Sequence, residues 1–189
     1  MTGTHASATT HPELTGDYDI DLAHSRLGFI ARHAMITKVR GQFRQFEGWL
    51  HLDGENPTRS HCEVRIDAKS IDTGNAQRDE HLRSNDFFAM DTYPEITFKS
   101  TAVEPRGGDQ YQVTGDLTVK GITRPVPLDV EFNGAAVDPF ANTRVGFSAT
   151  GTISRKDWGI TWNAPLEAGG VLVSDKITID VDISAIKRA

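Results

Sequence analysis

Most of this 189-residue chain alternates between apolar and polar residues with a period of two. Between residues 60 and 68, for example, Cys62, Val64 and Ile66 share one side, and charged residues occupy the positions between them. Successive side chains of a β-strand point to opposite faces, so this pattern predicts strands with one buried face. The same alternation occurs, clearly or more weakly, at residues 26–33, 39–53, 96–103, 111–119, 126–132, 145–153 and 177–183.

These segments predict at least eight strands. Turns rich in Gly, Pro, Asn and Asp separate them, and most connections contain no helix. The chain is therefore expected to be an antiparallel all-β protein, either a barrel or a sandwich. Between Phe43 and Phe46 the alternation slips by one residue, which predicts a bulge or bend near Gln45.

One short helix is expected between residues 75 and 86, with Thr73 or Asn75 capping its start. Inside this segment only Ala76 and Leu82 are apolar, so the helix has no wide face to bury. It should lie across an opening of the β-structure and not inside the core.

Small residues occupy several positions where the core of a sandwich would carry bulk, and phenylalanines occur near them. A barrel with such an interior could leave room for one ligand, although strand glycines also simply permit coiling. The small residues are Gly28, Ala31, Gly115, Ala149 and Gly151, and the phenylalanines are Phe29, Phe98, Phe132 and Phe147.

Composition excludes several classes of function. The net charge of −6 argues against nucleic acid as a partner, because binding to phosphates needs clustered Lys and Arg. Apolar runs are only a few residues long, so no transmembrane segment is expected. Residues 1–16 lack the basic and apolar regions of a secretory signal and are expected to form a flexible tail. Residues 17–189 should then form one domain, placed in the cytosol.

Candidate chemistry is sparse. His33 shares parity with Phe29 and Ala31, so it should point inward at the end of a strand. The chain has no HxH or HExxH spacing and no nucleophile motif, so neither a metal nor another cofactor is expected. Two alternatives stay open beside ligand binding. One is a small-barrel enzyme or metal-assisted hydrolase using His33 and His81, and the other is a solid-core protein-interaction domain.

Six motifs occur in order along the chain, at residues 18–33, 41–43, 81–88, 93–98, 115–126 and 154–160. In this order and at these spacings the sequence resembles the YceI-like family of polyisoprenoid-binding proteins, over about residues 17–187. The resemblance implies an extended, lipocalin-like antiparallel barrel of about eight strands, with one short helix near the mouth. It also implies an apolar tunnel that holds a long-chain isoprenoid lipid, of polyprenyl pyrophosphate or quinone type, without chemistry on it.

Ligand contacts are expected along the inward strand faces, around the helix and in the family motifs. The expected ligand-binding residues are His24, Phe29, Ala31, His33, Arg78, His81, Arg83, Phe87, Phe88, Phe98, Phe147 and Trp158.

Phe87 and Phe88 could cover the tunnel mouth as a lid, or merely anchor the connection to the core. Arginine suits a pyrophosphate head because its planar fork donates in a bidentate way, although each arginine near the mouth could also be ordinary solvated surface. Arg32 and Lys38 are further candidates for the same contact. Unpaired edge strands make a homodimer plausible.

Overall fold

A computed structural model describes residues 7–166 and 172–189. Their regular structure consists of eleven strands and one α-helix, joined by short 3-10 turns. The strands are β1 (Gly16–Ile20), β2 (Arg26–His33), β3 (Thr37–Phe43), β4 (Phe46–Leu52), β5 (His61–Asp67), β6 (Ile71–Asp72), β7 (Glu95–Gly107), β8 (Gln110–Val119), β9 (Ile122–Val137), β10 (Thr143–Ser154) and β11 (Lys176–Lys187). The helix is α1 (Ala76–Arg83).

Eight strands close into an antiparallel barrel in the order β1-β4-β5-β7-β8-β9-β10-β11, with β11 pairing back to β1. Strands β2, β3 and β6 continue from β11 beside this ring. The predicted lipocalin-like barrel of about eight strands with one short helix is therefore confirmed. No helix within the described residues is long and apolar enough to cross a membrane.

A break divides what would otherwise be one long first strand into β1 and β2. Both halves pair with β11, β1 with its end and β2 with its beginning. At the break, the Ser25 hydroxyl donates to the Ser184 carbonyl over 3.1 Å and accepts from the Ser184 amide over 3.0 Å. A second break, between β3 and β4, confirms the bend predicted near Gln45.

Helix α1 begins after Asn75, whose side chain accepts a hydrogen bond from the Arg78 amide over 2.9 Å. Its buried carboxylate, Asp79, accepts from the Thr73 amide over 3.0 Å, so the cap is joined to the strand before it. The predicted helix is confirmed, and it lies in the connection between β6 and β7.

Most of the buried apolar residues form two clusters. Each cluster occupies one end of the barrel. We call these two ends the helix end and the tail end. The helix-end cluster is Ala68, Ile71, Phe87, Met90, Ile96, Val119, Val126, Trp158 and Ile160. The tail-end cluster is Leu14, Tyr18, Leu50, Phe132, Val145 and Ala185.

Part of the N-terminal segment is packed and hydrogen-bonded, which differs from the flexible tail expected for residues 1–16. In the portion that the structure describes, the His11 amide donates to the Gly54 carbonyl over 2.8 Å. Leu14 is buried, and its carbonyl accepts from the Tyr18 hydroxyl over 2.8 Å. The segment holds these contacts because Leu14 fills the tail end. The domain boundary at residue 17 stays a prediction.

Arg144 joins the β9–β10 turn to the break between β1 and β2. Its Nε donates to Asp138 over 2.8 Å and its Nη1 donates to Asp21 over 2.7 Å. The hydrogen bond from Arg144 is the main cause that lowers the pKa of Asp138 to about 2, and it also lowers the pKa of Asp21. Both carboxylates therefore stabilise the fold only while they are ionised.

Replacing Arg144 with Gln should destabilise the protein at neutral pH and make its stability less sensitive to acid. In the native protein the contribution of Asp138 is complete above its ordinary pKa of 3.8 and is lost as the pH falls toward about 2. The free-energy difference between native protein and variant should therefore shrink below about pH 4. Urea denaturation across this range measures it. Arg106→Gln, at an exposed ion pair, is the control and should change little. Parallel pH curves for Arg144→Gln and the native protein would contradict the assignment.

Candidate functional site

A cavity of about 420 Å³ extends through the barrel from the tail end to the helix end, and we call it the tunnel. Its wall consists of the inward-facing side chains of the strands. These are the alternate apolar residues that the sequence predicts to face inward. Nearly all of this wall is aliphatic or aromatic carbon. The lining from the strands of the ring includes Val64, Ile66, Ile96, Phe98, Val113, Leu117, Leu128, Val130, Phe147, Ala149, Ile177, Ile179, Val181 and Ile183.

Aromatic rings lie flat against the wall because glycines make room beneath them. The ring of Phe29 covers Gly41, its partner on the neighbouring strand, and the ring of Phe98 covers Gly115. A methyl group added at either glycine would collide with the ring above it. The glycines therefore let these rings lie against the wall, so that the rings do not fill the tunnel. This role is additional to the coiling that glycine permits in curved sheets.

One of the small residues expected inside faces outward. A Cβ at Gly28 would meet the Arg26 guanidinium and the Asp180 carbonyl on the outer side of the sheet. The expectation is wrong for the direction of Gly28, because it is out of phase with Phe29 and Ala31. All three residues border the tunnel, and Gly28 does so through its backbone.

At the helix end, Phe87 and Phe88 both line the tunnel and both pack into the core. Phe87 is buried, with its ring centroid 5.3 Å from that of Trp162. Phe88 is half-buried and meets Phe43 edge-on at 6.4 Å. Trp158, also in the lining, donates from Nε1 to the Leu117 carbonyl over 2.9 Å. The two phenylalanines thus combine the geometry expected of an anchor with that expected of a lid.

The five polar residues of the predicted site are absent from the tunnel lining. His24 pairs with Asp21 over 2.6 Å on the outside of the barrel. His33 is exposed at the end of β2, so its expected inward orientation is wrong. The strand ends there, and its parity no longer fixes the direction of the side chain.

Two arginines and one histidine of the helical segment make local bonds. Arg78 donates to the Thr73 carbonyl over 2.7 Å, and Arg83 donates to the carbonyls of Lys69 and Ile71 over 3.1 and 3.3 Å. His81 lies 2.8 Å from Asp86, and its ring packs edge-on against Trp162. The two arginines therefore hold α1 to residues 69–73, which precede it in the chain.

Arg155 is a residue of the tunnel lining that the sequence did not indicate. Its side chain is buried and donates four hydrogen bonds to backbone carbonyls, including those of Ile160 at 2.8 Å, Trp162 at 3.0 Å and Ser174 at 2.9 Å. Burial lowers the pKa of its guanidinium. Arg155 therefore holds two separate stretches of chain together across the helix end.

Polar groups are also found in the lining at the tail end. The ring centroids of His51 and His61 lie 5.2 Å apart with the rings tilted, and His51 bonds to Asp17 over 2.8 Å. The thiol of Cys62 faces the tunnel beside them, and burial raises its pKa. In the part of the chain that the structure describes, no three His, Cys, Asp or Glu side chains are placed to hold a metal ion. The arrangement is suited to holding an apolar molecule.

Comparison with known proteins adds a family match. Residues 18–185 match the YceI-like domain. A UPF0312 protein of Pectobacterium atrosepticum is 38% identical over 163 residues, covering 85% of this chain and 84% of the relative. A UPF0312 protein of Staphylococcus aureus is 39% identical over 165 residues, covering 87% of this chain and 94% of the relative.

Solved structures show the same architecture. BcnA of Burkholderia cenocepacia superposes with a TM-score of 0.77 at 25% identity, over 87% of this chain and 98% of its own. The YceI protein of Campylobacter jejuni gives 0.72 at 28% identity, over 84% and 90%. A polyisoprenoid-binding domain from Saccharophagus degradans gives 0.65 at 16% identity, over 90% and 98%, which is a likeness of fold alone.

Replacing Gly115 with Ala should narrow the tunnel, because the new methyl group forces the Phe98 ring off the wall. The expected cost in stability is about 1–3 kcal/mol, the usual range for overpacking. Gly146→Ala is the matched control, since a Cβ there would approach nothing closer than 3.7 Å. A crystal structure and thermal melts of both variants measure the two effects. An unmoved Phe98 ring in Gly115→Ala would refute this account of the glycine.

Proposed function

Because the chain belongs to the YceI-like family, we propose that it binds and carries a long-chain isoprenoid lipid inside the tunnel, without chemistry on it. The observation that carries this proposal is the continuous carbon wall between two packed end clusters. The tunnel volume lies within the range of ligand pockets, about 300–1,000 Å³. A flexible apolar chain fits a wall that offers it few polar partners.

Burial of apolar area would drive this binding, at roughly 25 cal/mol per Å² before the cost of ordering the chain. A domain with this fold, that of Saccharophagus degradans, is described as polyisoprenoid-binding. At 16% identity that description supports the ligand class for this chain only through the shared fold. The composition of the wall is the stronger support.

Of the two head groups that the family resemblance implies, a quinone-type head fits the lining better than a pyrophosphate. In the described lining the one guanidinium, that of Arg155, already donates four hydrogen bonds to carbonyls. Arg78 and Arg83 are likewise engaged with backbone outside the lining. A weakly polar head could instead lie beside His51 and His61 at the tail end.

The alternatives are less well supported. A solid-core interaction domain would lack the tunnel. A hydrolase using His33 and His81 would need both beside the substrate, whereas His33 is exposed and His81 is paired with Asp86, and neither lines the tunnel. The cytosolic location and the homodimer stay predictions.

Filling the tunnel should remove the lipid. Ala149 is buried in the wall of β10, so Ala149→Phe should occupy ligand space. Thr150→Phe places the same ring on the outer face one residue away and is the matched control. Native mass spectrometry and lipid extraction should find an isoprenoid in the native protein and in Thr150→Phe, and at least tenfold less in Ala149→Phe, since about 1.4 kcal/mol of lost binding free energy already gives that factor.

An extract without isoprenoid from the native protein would refute the proposed ligand. Equal lipid content in Ala149→Phe and Thr150→Phe would refute the tunnel as its site. A melting temperature for each variant shows whether loss of lipid follows from loss of the fold.

Alanine variants of the two phenylalanines at the helix end should distinguish a role in anchoring the fold from a role in retaining the ligand. Phe87→Ala removes a buried ring and should cost about 3–5 kcal/mol of stability. Phe88 is only half-buried, so Phe88→Ala should cost less stability and should speed ligand release. Stopped-flow release of a fluorescent farnesol ester measures the rate. Phe140→Ala, at an exposed ring outside the lining, is the control. An unchanged release rate in Phe88→Ala would show that this ring is no lid.

A further inference from the structure

The β2–β3 hairpin exposes two large apolar residues at its tip. Met35 is 57% exposed and Ile36 is 78% exposed. The turn places Ala34 and Met35 at φ angles of 51° and 64°, and the Ile36 amide donates to the His33 carbonyl over 3.2 Å. Both central positions of such a turn favour Asn and Gly. Neither the strained backbone nor the exposed aliphatic side chains stabilise the fold, which suggests that the tip serves an interaction.

The outer face of the same hairpin is basic. Arg32, Lys38 and Arg40 are exposed, and Arg32 lies directly opposite Lys38 in the strand pairing, where like charges disfavour association of the strands. In the described part of the chain, no carboxylate forms an ion pair with any of the three. Residues 27–46 contain no Asp or Glu, in a protein whose net charge is −6. The hairpin is therefore a locally positive segment of an acidic protein.

Neighbouring elements contain both signs of charge. Lys176 at the start of β11 and Lys156 after β10 are exposed at the same end of the barrel. Asp175 accepts a hydrogen bond from the Ser154 hydroxyl, and Asp157 is exposed. Among the described residues of these elements and the hairpin, exposed basic side chains thus outnumber exposed acidic ones.

The hairpin lies beside the helix end of the tunnel. Ala31, two residues before its turn, lines the tunnel, and His33 bridges to Val173, which also lines it. A surface bound by the hairpin would therefore lie next to the tunnel.

We propose that the β2–β3 hairpin docks on an anionic lipid bilayer. Met35 and Ile36 enter the interface, and Arg32, Lys38 and Arg40 contact the lipid phosphates. One signal alone gives only marginal binding to a membrane, whereas an apolar and a basic signal together give stable association. The inference rests on the proposed function in one respect, because docking here would place the tunnel against the membrane in which an isoprenoid lipid resides.

A second exposed apolar tip provides an internal comparison. The β9–β10 turn exposes Val137 by 70% and Phe140 by 83%, but it carries Asp138. It lies at the other end of β10, a strand of twelve residues, and therefore roughly 40 Å from the β2–β3 tip. Apolar exposure is similar at the two tips, whereas charge complementary to an anionic surface is present only at β2–β3.

The test is co-sedimentation of the full chain with phosphatidylcholine vesicles, with and without phosphatidylserine. The native protein should bind the phosphatidylserine vesicles, and the binding should weaken as salt is added. Met35→Ser/Ile36→Ser should bind about tenfold more weakly. Arg32→Gln/Lys38→Gln should lose about fivefold per charge. Val137→Ser/Phe140→Ser should match the native protein, and a melting temperature confirms that each variant is folded.

Absence of vesicle binding by the native protein would overturn the proposal, and the hairpin would then have to serve a protein partner or none. Equal loss in Val137→Ser/Phe140→Ser, or no loss in Arg32→Gln/Lys38→Gln, would also overturn it. The lipid extracted from the native protein keeps the two proposals distinguishable. If the native protein contains lipid but does not bind vesicles, only the docking proposal is refuted. If it binds vesicles but contains no isoprenoid, only the carriage proposal is refuted.

Discussion

Strand β11 holds the barrel together, because it pairs with β10 along one edge and with both halves of a broken strand along the other. The hydrogen bonds between Ser25 and Ser184 fix the position of that break. Beyond it, β2, β3 and β6 continue outside the ring, and in the described topology β6 is not paired with β7. The connection between them packs Phe87 and Met90 against Ile71 and Ile96. The helix end of the tunnel is thus closed by side chains of a loop and not by a continuous sheet.

Apolar alternation was sufficient to predict the strands and most of the tunnel wall. A strand inside a sheet has two faces, so the parity of Phe98 or Ala149 fixes whether its side chain points into the barrel. The same reasoning failed for His33, because the strand ends there. Gly28 was misplaced for another reason, because its parity is opposite to that of Phe29 and Ala31 and already indicates an outward position. Parity therefore places side chains within a strand but not at its last residue, as His33 shows.

Polar residues could not be placed in this way. A long side chain such as Arg83 or Arg155 bonds to whichever carbonyls the tertiary structure brings near, and those carbonyls belong to distant parts of the chain. Nothing in the spacing of residues 155–174 indicates that several carbonyls converge on one guanidinium. Leu14 was missed for a related reason, since a single apolar residue in a polar segment has no periodicity. Predicting these contacts requires the closed barrel.

The tunnel has an energetic consequence for the whole domain. Atoms that line an empty apolar cavity lose the dispersion contacts that a packed interior would give them. A bound chain restores those contacts, and any ligand that binds the folded state alone stabilises it in proportion to the logarithm of its free concentration. In the proposed function, the ligand supplies the middle of a core whose two ends are already packed. The glycines beneath Phe29 and Phe98 fit this view, because they give up side-chain packing in the protein in favour of space for the ligand. We infer that the stability of the protein and the carriage of lipid are coupled. Release of the lipid lowers the free energy of unfolding of the protein. A surface that accepts the lipid must therefore bind it favourably enough to compensate for that loss.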